Sequence, residues 1–288
     1  MTPLQDQLDE ITANTRKLVQ AERMAINERA VRELFESGIE EKILPVGAVA
    51  PEFTLNDASG RPVRSADLLA LGPLVLNFFR GRWCPYCITE IEAWRDLHPR
   101  LREAGVLLAA IGPQTQRQSD FMVGQHGLPF PVLADPGCAV AAQFGLAYTI
   151  PAYHRDYYRS ILVNIPFVNG DDSWRLILPA TYVLSPAGRV VHAQAHADHR
   201  LYAKVERLRS DDGAIPAYLS ALFEAAHPLK HGRGRQAQRL RKVRVGLATV
   251  ALQGDQDVAV EGVHGHLRVT SRGSVATNYM RCGSRRRR

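Results

Sequence analysis

Apolar and polar residues alternate along this chain in a way that predicts strands and helices in turn. The strongest segment is a run of apolar residues at 74–79, which is typical of a strand buried on both faces. From Thr89 the pattern changes, because Ile91, Trp94 and Leu97 recur at helical spacing. The chain therefore predicts a central strand that leads directly into a helix.

Further strands are predicted at 106–111, 131–134 and 176–184, with helices at 119–125, 138–144 and 203–225 between and after them. A turn at Ser185-Pro186-Ala187-Gly188 returns the chain as a hairpin over 189–193. A broken apolar stripe over 4–37 predicts a helical arm, which either packs on its own domain or forms a dimer. Strands that alternate with helices and end in a hairpin predict an α/β fold with a mixed sheet flanked by helices.

Composition divides the chain into three parts. Residues 227–288 contain 14 Lys and Arg against three Asp and Glu, so the net charge of +7 comes from this basic C-terminal tail. We expect an N-terminal helical extension at 1–45, a domain at 46–226 and a disordered tail at 227–288 that folding does not need. Nucleic-acid contact by the tail is a weaker interpretation, and a read-through end also fits its composition. Short strand-like alternation at 245–253 and 258–270 allows local pairing there.

The candidate chemistry lies where the central strand meets the helix, in Trp83-Cys84-Pro85-Tyr86-Cys87. The Cys-x-x-Cys spacing allows a disulfide within one helical turn, and the positive end of the helix dipole favours a thiolate. Arg80 and Arg82 add positive charge, and Pro85 suits the first helical position. These residues predict a dithiol that cycles between reduced and oxidised forms at the mouth of the sheet.

Together these residues resemble the alkyl hydroperoxide reductase/thiol-specific antioxidant (AhpC/TSA) family, specifically its peroxiredoxin-like subgroup with a Cys-x-x-Cys motif. The resemblance covers roughly 45–225 and implies a thioredoxin-like fold. It depends on the dithiol segment and on the stretches Ala50-Pro51-Glu52-Phe53, Leu133-Ala134-Asp135-Pro136 and Pro179-Ala180-Thr181-Tyr182.

Two positions depart from that family. If Cys87 is the peroxide-attacking cysteine, Cys84 occupies the position of the family's Thr or Ser, and Pro179 occupies that of its later Arg. Pro179 before Ala-Thr-Tyr instead resembles the cis-proline that faces the dithiol in thioredoxins, with Thr181 as a further supporting residue. Trp83 and Tyr86 border the dithiol and are expected to contact a partner or to pack around the loop.

The resemblance implies an antioxidant enzyme that reduces hydrogen peroxide or organic hydroperoxides through Cys87 and Cys84. A thioredoxin-type dithiol donor regenerates the pair, and no cofactor is needed. The alternative is a thiol-disulfide oxidoreductase in which Cys84 attacks a disulfide. More distant interpretations are a pure binding role and a zinc site formed by the two cysteines with His192, His196 and His199.

Several expectations concern the surroundings of the protein. The first residues lack the apolar stretch of a signal peptide, and no apolar run reaches membrane-spanning length, so we expect no signal peptide and a cytoplasmic protein without a membrane partner. A homodimer is one expected assembly. An aromatic-rich insertion at 148–175 either forms a wall of the substrate site or covers apolar surface. Cys138 is either a small residue at a helix start, which we favour, or an additional resolving thiol.

Overall fold

The central strand of the sheet is the apolar run predicted from the sequence, at Leu74–Phe78, and all five of its residues are buried. The structure is a computed structural model, which describes residues 4–200 and the backbone of four strands between 240 and 271. The predicted helix at 203–225 lies outside the described residues.

The first 200 residues contain both helices and strands, and a helix follows each of the strands β2 to β6. The helices are α1 (Leu4–Leu18), α2 (Ala21–Glu36), α3 (Ser65–Leu71), α4 (Pro85–Glu103), α5 (Gln116–His126), α6 (Ala139–Gln143), α7 (Ala152–Ser160) and α8 (Ile165–Asn169). The strands are β1 (Thr54–Asn56), β2 (Pro62–Arg64), β3 (Leu74–Phe78), β4 (Leu107–Gly112), β5 (Val132–Ala134), β6 (Ala147–Thr149), β7 (Arg175–Ile177), β8 (Ala180–Leu184) and β9 (Val190–Ala195).

Seven of these strands form one sheet in the order β2-β1-β5-β4-β3-β8-β9. Strands β3, β4 and β5 are parallel to one another, and the other pairings are antiparallel. The sheet is therefore mixed, and β3 lies between a parallel and an antiparallel neighbour. Its alternate residues enter two different cores, since Leu76 and Phe78 join one apolar cluster while Val75 and Phe79 join the other.

The N-terminal arm consists of two helices, because the chain leaves helical geometry between Leu18 and Ala21. Helix α1 packs against α4, and Leu4 and Leu8 are almost fully buried in the same apolar cluster as the two cysteines. Helix α2 contacts α7. The arm thus packs on its own domain, which is one of the two arrangements that its apolar stripe predicted.

The predicted strand at 176–184 is divided into β7 and β8. Leu178 and Pro179 separate them, and proline has no N–H with which to continue a ladder. The first part, β7, pairs with β6 in a small separate sheet, whereas β8 pairs with β3. The division carries the chain from the insertion back into the central sheet.

The described backbone of the C-terminal part consists of two antiparallel pairs, β10 (Leu240–Val245) with β11 (Ala248–Gln253) and β12 (Val258–Val263) with β13 (His266–Ser271). They coincide in part with the strand-like alternation of the sequence, and they are paired where a disordered tail was expected. The three-part division of the chain stays a prediction. No helix among the described residues is both long and apolar enough to cross a bilayer.

Candidate active site

The two cysteines are presented by the turn that joins β3 to α4. Cys84 is the residue that caps the start of α4, and Pro85 takes the first helical position, where its missing N–H costs no hydrogen bond. The Cys84 N–H donates to the carbonyl of Gly81 at 3.1 Å, and the Ile88 N–H donates to the carbonyl of Cys84 at 3.1 Å. Cys87 therefore lies within the first turn, at the positive end of a 19-residue helix.

Gly81 allows the turn to fold tightly over the site. Its φ is +144°, and a Cβ added there would lie 2.5 Å from Nε1 of Trp83. The indole ring stands edge-on to Tyr158, with ring centroids 5.3 Å apart, and the Arg80 guanidinium lies 5.0 Å from its centre. Trp83 thus closes the loop by packing, which was one of its two expected roles, and Tyr158 from the aromatic insertion forms part of the site wall.

Both sulfurs belong to buried residues: the exposed fraction is 1% for Cys84 and 0% for Cys87. Helix α1 packs over this end of α4, and the hydroxyls of Thr12 and Tyr86 are 3.1 Å apart. The dithiol lies at the predicted junction of strand and helix, but it is covered there. The cover comes from the arm, whose apolar side chains pack over a helix start that would otherwise face solvent.

Arg80 is the charged residue that faces the dithiol. It is 2% exposed, and its electrostatic partners include both Cys84 and Cys87. Its backbone N–H donates to the sulfur of Cys87 at 3.4 Å, and its guanidinium donates to the hydroxyl of Tyr158. A buried guanidinium stays protonated, so it stabilises negative charge on either sulfur.

Arg82 is directed to the opposite wall of the turn. Its guanidinium donates to Gln118 and lies 4.6 Å from the ring centre of Phe121, while its backbone N–H donates to Gln114 at 2.9 Å. The two arginines, which the sequence placed together as a source of positive charge, therefore have different roles. Arg82 ties the dithiol loop to α5.

A buried carboxyl group, which the sequence pattern did not predict, lies behind the dithiol. Glu90 is 1% exposed, and burial raises its pKa to about 8. The side chains of Asn77 and Trp94 lower this pKa, whereas the nearby Cys84 raises it. The sequence offered one signal for this carboxyl group, since Glu90 follows Cys87 by three residues. On a helix otherwise rich in charge, such a glutamate looks like a surface residue.

Asn77 and Thr181 complete a polar layer beneath α4. They are direct partners across the β3–β8 pairing, so their side chains share one face of the sheet. Asn77 shares that face with Val75, which packs in the cluster that contains α4 residues. The side-chain polar atoms of Asn77 and Thr181, the indole N–H of Trp94 and Oε2 of Glu90 have no hydrogen-bond partner among the described residues. Such buried groups are normally satisfied by ordered water.

The resemblance of Pro179 to a cis-proline is not borne out by the backbone. Among the described residues no peptide bond is cis, so the bond before Pro179 is trans. The preceding residue, Leu178, donates its N–H to the carbonyl of Leu146 at 2.9 Å, which ties this connection to the chain next to β6. Pro179 is buried and acts here as the break between two strands.

The three histidines considered as zinc ligands do not gather around the cysteines. The ring of His199 packs edge-on against Tyr86 at 5.5 Å, and burial, with Arg80 nearby, lowers its pKa. His196 lies 3.2 Å from the side-chain nitrogen of Gln194. Within the part of the chain that the structure describes, no group of three or more His, Cys, Asp or Glu side chains could hold a metal ion.

Cys138 occupies a different environment. It precedes α6 with a φ of +58°, and burial raises its pKa to about 12, with the neighbouring Asp135 raising it further. The Asp135 carboxylate accepts the N–H groups of Val140 and Ala141 at 3.0 and 2.9 Å. Cys138 therefore fits the favoured interpretation of a small residue at a helix start.

Comparison with known protein families identifies the family of this chain. The AhpC/TSA family profile matches residues 46–193, which contain the sheet and the dithiol turn. The chain belongs to the AhpC/TSA family. The match confirms the resemblance predicted from the sequence, including the thioredoxin-like fold that goes with it.

Two curated relatives of this AhpC/TSA chain carry different names. "Thiol-disulfide oxidoreductase ResA" of Bacillus thuringiensis (strain Al Hakam) is 33% identical over 104 residues, which are 36% of this chain and 59% of that protein. Chloroplastic "Peroxiredoxin Q" of Sedum lineare is 30% identical over 100 residues, which are 35% of this chain and 53% of that protein. The chain thus spans little more than half of each relative's length.

Comparison with solved structures also found a similarity to the peroxidoxin BcpB from Mycobacterium tuberculosis. It is 22% identical to this chain, with a TM-score of 0.46, and the alignment covers 63% of this chain and 97% of that one.

Proposed function

We propose that this protein is a thiol peroxidase that reduces hydrogen peroxide or organic hydroperoxides through Cys87 and Cys84. The observation that carries the proposal is a pair of buried cysteines at a helix start, faced by the buried cation of Arg80, in an AhpC/TSA chain. A thiolate is the nucleophilic form of cysteine, and positive charge beside it favours that form. No metal or organic cofactor takes part in the proposed reaction.

The proposed cycle has three steps. The Cys87 thiolate attacks one oxygen of the hydroperoxide, the O–O bond breaks, and the alcohol or water leaves with a proton, which yields a sulfenic acid. The Cys84 thiol then condenses with that sulfenic acid, releasing water and forming a disulfide. A thioredoxin-type dithiol donor supplies two electrons and two protons to restore both thiols.

Glu90 is proposed to hold or accept the proton of Cys84 during condensation. Its carboxyl group is electrostatically coupled to Cys84, and a pKa of about 8 allows both protonation states near neutral pH. Access for a peroxide or a donor protein requires the α1 cover to move locally, because both cysteine residues are buried.

A second candidate is exchange with protein disulfides, in which Cys84 attacks and Cys87 resolves. It is favoured by the identity to ResA and by Cys84 standing where the peroxiredoxin pattern has a hydroxyl residue. The trans bond before Pro179 removes one of the features that had favoured it.

Stopped-flow kinetics with wild type, Cys84→Ser and Cys87→Ser separates the two candidates. With hydrogen peroxide and an organic hydroperoxide, the proposal predicts that Cys87→Ser loses reaction and that Cys84→Ser consumes one equivalent and stops as a sulfenic acid. Peroxide reduction retained by Cys87→Ser would overturn the assignment of the attacking sulfur. Rapid reduction of insulin disulfides with negligible peroxide consumption would replace the proposal with the second candidate.

A further inference from the structure

A cavity of about 460 Å³ lies between the N-terminal arm and the domain, on the side of Arg80. Its volume is within the range of small-molecule sites. Helix α2 supplies the apolar part of the wall, through Ala30, Val31 and Leu34, and also the carboxylate of Glu33. The lining around Arg80 forms the polar end, since Tyr148, His154 and His199 are electrostatic neighbours of this guanidinium.

The polar end contains a buried cation that has no carboxylate partner among the described residues. Arg80 donates to the neutral hydroxyl of Tyr158, but it forms no ion pair with a carboxylate in residues 4–200. Its Nε is buried and has no hydrogen-bond partner among the described residues, and the same holds for Nε2 of His154. A buried charge without a partner is costly, so an anion that reached this guanidinium would be strongly favoured.

The remaining charges around the cavity do not oppose an anion. Glu33 lines it, but this carboxylate pairs with Arg29 at 2.7 Å and accepts the hydroxyl of Tyr153. Lys42 adds a second positive charge to the lining. The cavity thus combines an apolar wall with a cationic end.

We propose that this cavity binds an amphipathic monocarboxylate, with the carboxylate on Arg80 and the apolar body along α2. The His154 ring supplies a second polar group at the same end. Because Arg80 also faces Cys84 and Cys87, the ligand and the dithiol share one guanidinium. The binding itself does not depend on thiol chemistry.

Calorimetric titration of the full-length Cys84→Ser/Cys87→Ser protein with octanoate and its neutral analogue octanamide tests the site without any redox reaction. Saturable octanoate binding at least ~10-fold tighter than octanamide binding is expected, because a charge-assisted pair is available only to the carboxylate. Absence of octanoate binding, or equal affinity for the two probes, would overturn the proposal, whatever the peroxidase assay gives.

Two further variants locate the ligand. Arg80→Gln is expected to lower octanoate affinity at least ~10-fold and to leave octanamide unaffected, since only the carboxylate pairs with the guanidinium. Arg159→Gln is the matched control, because Arg159 is an exposed residue paired with Asp156 and does not line the cavity. Loss of affinity in the control equal to that in Arg80→Gln would contradict the site.

Should Arg80→Gln fail to fold, Val31→Phe provides an independent test. Val31 is half-buried on α2, and a phenyl ring there fills the apolar wall without touching the charge. Both probes are expected to lose binding in this variant. Unchanged octanoate affinity would show that the ligand does not occupy this cavity.

Discussion

Among the described residues two helix starts carry buried cysteines, and we propose redox chemistry for only one of them. Cys84 and Cys87 begin α4, and Cys138 precedes α6; all three residues are at most 1% exposed. The dithiol faces the cation of Arg80, whereas Cys138 faces the carboxyl group of Asp135. Burial raises the pKa of Cys138 to about 12. Both places are helix starts, and the charge beside the sulfur differs in sign between them.

The covers of the two sites also differ. Cys138 belongs to the apolar cluster between the sheet and α6, which includes the central strand residues Leu76 and Phe78. The dithiol belongs to the cluster closed by α1 at the start of the described chain. A terminal helix can open locally at a lower free energy than the core of a sheet, so equal burial does not imply equal access.

The largest expected difference is in alkylation rate. With iodoacetamide at pH 7 under native conditions, Cys84 or Cys87 is expected to react at least ~100-fold faster than Cys138. A pKa about three units above that of an ordinary thiol reduces the Cys138 thiolate population by about 10³. Mass spectrometry of peptides from timed samples measures the rates, with labelling in denaturant as the control. Equal native rates would show that the charge environment does not separate the sites.

The next effect concerns Glu90 and pH. Because the folded-state pKa is raised from 4.5 to about 8, the folded protein holds a proton that the unfolded chain releases within this window. The free energy of unfolding of wild type, relative to Glu90→Gln, should therefore fall as pH rises from about 4.5 to about 8 and stay constant above it. The expected total is a few kcal/mol, since one pKa unit corresponds to ~1.4 kcal/mol.

Urea unfolding of both proteins at several pH values measures this difference. Glu92→Gln is a suitable control, because Glu92 is a partly exposed residue of the same helix. A difference between wild type and Glu90→Gln that does not change with pH would refute the buried, protonated state of Glu90.

A smaller effect is expected from loosening the cover. Leu8→Ala should lower the free energy of unfolding by about 2 kcal/mol, at the lower end for buried leucines because a terminal helix can shift into the space. The same variant should raise the native alkylation rate of Cys84 and Cys87 but not that of Cys138. Leu18→Ala, at an 85% exposed residue, is the control. An equal increase at all three thiols would mean that α1 does not guard the dithiol specifically.

The sequence predicted the core of this site because its signals are local. The apolar run at 74–79 and the helical spacing after Thr89 differ from β3 and α4 by only a few residues at their ends. Pro85 at the helix start and the Cys-x-x-Cys spacing likewise follow from neighbours in the chain. The family resemblance, confirmed by the profile match, depended on the same residues.

Features that depend on contacts between distant parts of the chain could not be predicted from the sequence. The cover over the dithiol joins Leu8 to a helix that starts almost eighty residues later, and nothing in either segment specifies the pairing. Arg80 and Arg82 are neighbours in sequence but meet Tyr158 and Gln118, which lie on different helices. Glu90 was missed because its burial depends on the sheet beneath it, where Asn77 and Thr181 meet.

The most direct test of the central claim is to treat the reduced full-length protein with one equivalent of hydrogen peroxide and map its cysteines by mass spectrometry without reductant. We expect a loss of two hydrogens, a Cys84–Cys87 disulfide and an unmodified Cys138. In Cys84→Ser, a sulfenic acid should be trapped at Cys87 by dimedone. Oxidation at Cys138 while Cys84 and Cys87 remain thiols would contradict the proposed role of the dithiol.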